Sequence, residues 1–221
     1  MSKVGVVLSG CGFRDGAEIQ EAVLTLYFLE RAGIEFRCYA PDQSQSSVVN
    51  HLTGEPTDEQ RNVLVESARI ARGEIDALER ADMAELDALV LPGGFGAALN
   101  LSDFSSRGAN ATVQPDLARL VVDAANARKP IVAICISPAV LAVALSQAGL
   151  TTTLTIGNDA DTAAAITQSG STHETCPVDG VVVDEVRRIV STPAYMLGPG
   201  PKRVGAGIEA AVAKLADWLA T

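Results

Sequence analysis

An alternation restricts this chain more than any other feature: short apolar, β-favouring runs are separated by longer stretches with helical periodicity. The candidate strands are residues 4–8, 36–40, 88–91, 131–135 and 152–156. Between them lie candidate helices at 18–31, 59–71, 115–127, 138–147 and 161–169. This is the pattern of βαβ units, so it predicts an α/β fold with a mostly parallel sheet between helical layers. Near the end, 181–183 and 189–191 flank a turn-like Asp184-Glu185-Val186-Arg187-Arg188, which reads as a β-hairpin, and a helix at 207–219 closes the chain. The connection from 43 to 80 is long and is expected to carry a helical excursion beside the sheet. No repeat and no Pro-, Gly- or Ser-rich linker divides the 221 residues, so one domain over 1–221 is expected.

Composition excludes several classes. With 48% hydrophobic and 20% charged residues the chain is neither disordered nor fibrous. Seventeen basic residues against 27 acidic ones give a net charge of −10, which argues against nucleic acid and anionic membrane surfaces as partners. No run reaches the ~18 apolar residues of a membrane span. Met1-Ser2-Lys3 leads straight into the first apolar run rather than into a leader pattern. The four cysteines, Cys11, Cys38, Cys135 and Cys176, are far apart with no C-x-x-C pair, which fits neither a zinc site nor a disulfide scaffold. A cytoplasmic protein with reduced thiols is therefore expected.

In an open α/β sheet the ligand site lies beyond the carboxyl ends of the strands. After the first strand, Ser9-Gly10-Cys11-Gly12-Phe13-Arg14-Asp15-Gly16 misses the dinucleotide fingerprint by one residue, and it reads as a tight strand-to-helix loop. After the third comes Leu91-Pro92-Gly93-Gly94-Phe95-Gly96, where glycines let backbone approach a ligand. The fourth carries the sharpest signal: Ile131-Val132-Ala133-Ile134-Cys135-Ile136-Ser137-Pro138 passes from apolar strand directly to a helix start. Cys135 sits at that junction, as a nucleophile does on a strand-to-helix elbow, and the helix N-terminus is expected to lower its pKa. His51 and His173, the two histidines, are each possible partners. A carboxylate is the better candidate. In the first helix apolar residues occupy both faces, with Leu24 and Phe28 on one and Ile19, Val23 and Leu26 on the other, so the helix is expected to be buried and Glu21 with it. Burial would let Glu21 hold a proton beside a thiolate. Glu18 reads as an exposed acid at the helix start.

Four motifs together resemble one family. They are Phe13-Arg14-Asp15-Gly16-Ala17-Glu18-Ile19-Gln20-Glu21, Leu91-Pro92-Gly93-Gly94-Phe95-Gly96-Ala97-Ala98-Leu99-Asn100-Leu101-Ser102, Cys135-Ile136-Ser137-Pro138-Ala139 and Thr192-Pro193-Ala194-Tyr195-Met196-Leu197. They look like the ElbB family of isoprenoid-biosynthesis glyoxalase-like proteins, in the PfpI-like branch of the class I glutamine-amidotransferase-like superfamily. The resemblance implies a flavodoxin-like three-layer αβα sandwich with a nucleophile elbow. It puts the nucleophile on Cys135, the buried acid on Glu21 and the oxyanion amides on Gly94 and Ile136, with Gly93 and Ser137 beside them in the substrate site. It also implies a small aldehyde substrate, no cofactor, no metal and a homodimer. Relatives with a third catalytic histidine carry it where this chain reads Leu154-Thr155-Ile156-Gly157-Asn158-Asp159, so the resemblance does not extend to a full Cys-His-acid triad. The implied reaction is conversion of glyoxal to glycolate or removal of early glycation adducts. The alternative is a redox-sensing or ligand-binding Cys135 whose turnover is incidental.

Overall fold

The computed structural model describes residues 2–221. β1 (Lys3–Val7) leads through the glycine-rich loop into α1 (Ile19–Arg31) and back to β2 (Glu35–Ala40). The excursion carries α2 (Val63–Ile70) and ends in β3 (Ile75–Ala77). Next come β4 (Ala88–Leu91), two short helices, α3 (Phe95–Leu99) and α4 (Phe104–Arg107), then α5 (Pro115–Asn126) and β5 (Ile131–Ile134). The last part runs through α6 (Ser137–Gln147), β6 (Thr153–Leu154), α7 (Ala160–Gln168), β7 (Thr172–His173), β8 (Val182–Asp184), β9 (Ile189–Thr192) and α8 (Pro201–Leu219).

Seven strands form one sheet in the order β3-β2-β1-β4-β5-β9-β8, parallel throughout except for β8 against β9. Its central strands are buried on both faces, and alternate residues feed two cores. Leu89, Leu91, Ile131 and Ala133 pack under α5 and α6, whereas Ala88, Val90, Val132 and Ile134 pack under α1 and α8. The expected flavodoxin-like α/β sandwich is thus the architecture found.

Particular elements differ from expectation. The run at 152–156 is not a strand of the main sheet: only Thr153–Leu154 pairs, in parallel with β7, as a separate two-stranded ladder. The place beside β5 is taken by β9, with Val132 opposite Val190. The helix expected from 59 begins at Val63, because the Asn62 side chain accepts from the Val65 N–H at 3.1 Å and caps it there. The closing helix begins six residues earlier than expected, at Pro201, and takes in Gly205 and Gly207. Nor is α1 enclosed on all sides, since Ile19, Val23 and Tyr27 are 44%, 49% and 53% exposed.

Candidate functional site

The carboxyl ends of β1, β4, β5 and β9 converge on Cys135. Strand β5 stops at Ile134, and Cys135 takes φ +64°, a left-handed conformation rare for a residue with a side chain. Its N–H donates to Thr192 O at 2.9 Å, and α6 begins two residues later with Pro138 in its first turn. One strained residue therefore turns strand into helix and points the thiol off the end of the sheet. Ser137, buried, donates from Oγ to Pro92 O at 2.7 Å and ties the helix start to the loop after β4.

That loop needs both of its glycines. A Cβ on Gly93 would lie 2.3 Å from Cys135 Cβ and 2.6 Å from Glu21 Oε2. Gly94 has φ +98°, and a Cβ there would meet Glu18 N at 2.3 Å and Gly16 O at 2.4 Å. The backbone can approach the cysteine this closely only without side chains.

Glu21 projects from the first turn of α1 and is fully buried. Its Oε2 accepts from the Gly93 N–H and its Oε1 from the Tyr195 N–H, each at 3.1 Å, and the carboxyl sits beside Cys135 at Gly93. Burial pushes its pKa up to about 8 against the pull of these donors, so Glu21 holds a proton at neutral pH. The thiol is also pushed upward, first by burial and then by the adjacent Glu21 charge, while the Gly94 and Ile136 amides pull it down. The expectation that the helix N-terminus lowers the Cys135 pKa is thus corrected: desolvation and a neighbouring carboxylate outweigh two amide donors.

Cys135, 6% exposed, is reached through a cavity of about 720 Å³. Phe13, Phe95, Ile136 and Met196 supply apolar wall, and Glu18, Gln20, Asp159 and Tyr195 supply polar groups. The Tyr195 hydroxyl donates to Gln20 Oε1. Of the residues expected at the substrate, Gly94 and Ile136 line the cavity and aim their amides at the sulfur. Gly93 and Ser137 do not line it, because the N–H of the first serves Glu21 and the hydroxyl of the second serves Pro92. Glu18 is not a plain surface acid: it caps α1 and opens into the cavity. Neither histidine lines it. His51 packs edge-on against Phe13 with its Nε2 3.7 Å from Asp15 Oδ1, and His173 lies in β7 accepting from the Ile156 N–H at 3.3 Å. Sequence reasoning missed the Tyr195 N–H, although Tyr195 lies within one of the four motifs.

The strained cysteine after a central strand, the buried acid from the first helix and the glycine pair between them all lie within residues 11–192, which the model of the DJ-1/PfpI family matches. The chain belongs to the DJ-1/PfpI family. Within it, the chain is 39% identical to the mitochondrial ES1 protein homolog of Rattus norvegicus, over 98% of this chain and 84% of the relative. It is equally 39% identical to the human protein called glutamine amidotransferase-like class 1 domain-containing protein 3, mitochondrial, over 98% and 83% of the two chains. Among solved structures, an Ehrlichia chaffeensis isoprenoid biosynthesis protein with an amidotransferase-like domain superposes with a TM-score of 0.93 at 39% identity, covering 99% of this chain and 100% of that one. These relatives overturn the cytoplasmic expectation, since the curated ones are named mitochondrial. Scattered thiols and an acidic composition do not tell one reducing compartment from another.

Proposed function

We infer that this DJ-1/PfpI chain is a cofactor-independent glyoxalase-like enzyme of the ElbB type, which converts glyoxal to glycolate or acts on early glyoxal adducts. The observation that carries the reading is the pairing of Cys135, which lines an open cavity, with a Glu21 enclosed behind it that is protonated at neutral pH. The reactive form is the minor one in which the Cys135 thiol has lost its proton to solvent while Glu21 keeps its own; its thiolate adds to one carbonyl carbon and forms the C–S bond of a hemithioacetal. The Gly94 and Ile136 amides face the site where oxyanion charge develops, and Glu21 delivers its proton to that oxygen. The resulting Glu21 carboxylate then removes the proton from the sulfur-bearing carbon, giving an enediolate; as the hydroxyl proton on that carbon passes to the neighbouring oxygen, Glu21 returns its proton to the adjacent carbon. The product is a glycolyl thioester. Water cleaves its C–S bond, releasing glycolate and restoring the thiolate. One glyoxal and one water give one glycolate and one proton, with no external oxidant.

The test is glycolate formation from glyoxal by purified protein in the presence of a chelator. Saturable conversion is expected in the native protein, and loss to background is expected in Cys135→Ala. Equal conversion by both proteins would remove the nucleophile and the reading with it.

A further inference from the structure

The cavity over Cys135 carries one sign of charge. Glu18 opens into it from the start of α1 and Asp159 from the start of α7, and its lining contains no lysine, arginine or histidine. Both acids are fixed as helix caps: Glu18 Oε2 accepts from the Glu21 N–H at 2.6 Å and Asp159 Oδ1 from the Thr162 N–H at 2.9 Å. Hydrogen bonds from Thr162 hold the Asp159 carboxyl below its ordinary range, while burial raises that of Glu18. Among the described residues neither acid has a cation within ion-pair distance. Arg14, adjacent in sequence to the lining residue Phe13, stacks its guanidinium on the Phe13 ring at 4.9 Å and lies against Gly54 rather than in the lining.

We propose that Glu18 and Asp159 form a charge filter, so that the cavity admits neutral or cationic carbonyl compounds with an apolar portion and rejects anionic ones such as 2-oxo acids. This rests on reading Cys135 as the reacting group. An anion entering the cavity gives up hydration and meets two like charges with no cation to offset them. A neutral dicarbonyl meets neither cost, and a cationic group gains attraction while its apolar part covers Phe13, Phe95 and Met196. Two carbonyl compounds of similar size, glyoxal and glyoxylate, are thereby separated by charge alone.

Thiol modification reads the filter without requiring turnover. Cys135 is treated with two methanethiosulfonates of matched length, one ending in trimethylammonium and one in sulfonate, and the Cys135 peptide is followed by mass spectrometry. Each rate is divided by that of 2-mercaptoethanol with the same reagent. At low salt the cationic reagent is expected to be favoured at least about tenfold, as a cleft of one charge sign favours counter-ions. The preference should shrink in salt of about 1 M, where the screening length is only ~3 Å. It should also fall toward unity in the Glu18→Gln/Asp159→Asn double variant, whose amides keep an acceptor for each cap; the single variants stand in if the double does not fold. No cationic preference in the native protein, or a preference that both single variants leave intact, overturns the filter. Glyoxylate turnover as efficient as glyoxal turnover also overturns it and leaves the enzyme reading standing. Absence of any aldehyde turnover beside a strong cationic preference defeats the enzyme reading alone.

Discussion

Glu21 keeps its proton because its carboxyl is wholly enclosed, and two backbone donors offset only part of the lost hydration. The space around it is set by Gly93 to within a methyl group. Gly93→Ala must displace Cys135 Cβ or Ile134 O, which would lie 2.3 and 2.9 Å from the new atom. Overpacking of this kind costs about 1–3 kcal/mol, so thermal denaturation should show a clearly lowered Tm and turnover should be lost. Gly205→Ala is the counterpart. There the nearest atom is Leu24 Cδ1 at 3.6 Å and the position is inside α8, so Tm should rise by the equivalent of about 0.5–1 kcal/mol. At this scale the sequence was legible in part. Glu21 stands out as a carboxyl among apolar helix positions, yet the inference from two apolar faces was mistaken, because Ile19 and Val23 are exposed. Glu21 is buried because the first turn of α1 faces the strand ends. The raised thiol pKa was not legible, since it depends first on how deeply the fold buries Cys135 and then on a contact between residues 114 positions apart in the chain.

Among the elements, the passage from β5 to α6 was the most legible, because an apolar strand running into Ser137-Pro138 leaves only Cys135 and Ile136 to make the turn. Strand order was less so. Thr152–Ile156 has the composition of a central strand, but a chain's apolar pattern does not say which strand lies beside which. In the structure Thr155 N–H instead donates to Ser191 Oγ of β9 at 2.9 Å. The excursion is pinned by Asn100, at the end of α3, a buried side chain with every polar atom engaged. Its Nδ2 donates to Ser9 O at 2.9 Å and Asp15 O at 2.8 Å, and its Oδ1 accepts from the Ser46 N–H at 2.9 Å. Asn100→Ala strands the Ser9 and Asp15 carbonyls, whose bonds are buried, and a buried polar group without a partner costs about 1–3 kcal/mol. A destabilisation of at least about 2 kcal/mol in urea unfolding is therefore expected, with faster proteolysis of the 43–61 segment. A variant as stable as the native protein would show that Asn100 is not the anchor.

For the whole molecule, the site is assembled from α1, the loops after β4 and β5, and the turn after β9, so its electrostatics bear on global stability. Glu21 has an ordinary pKa of 4.5 when exposed and about 8 when folded. Between those values the folded protein binds more protons than the unfolded one, so this group makes stability fall as pH rises, by at most about 1.4 kcal/mol per unit. Glu21→Gln removes that dependence. Its Tm relative to the native protein should therefore be higher at pH 7 than at pH 5, and a constant difference would mean that Glu21 is not neutral in the fold. The same substitution also separates proton transfer from nucleophilicity. Above pH 8, where Glu21 is ionised, removing its charge should lower the thiol pKa, because that charge pushes it up; at pH 7 the neutral glutamine stands in for a neutral acid. The decisive measurement is Glu21→Gln assayed twice at pH 7 under conditions where it is folded, for iodoacetamide alkylation of Cys135 and for glycolate formation from glyoxal. Alkylation should hold or quicken while glycolate formation falls by about 10²–10⁴-fold; a fall in both together, or in neither, would contradict a proton-carrying Glu21 beside a nucleophilic Cys135.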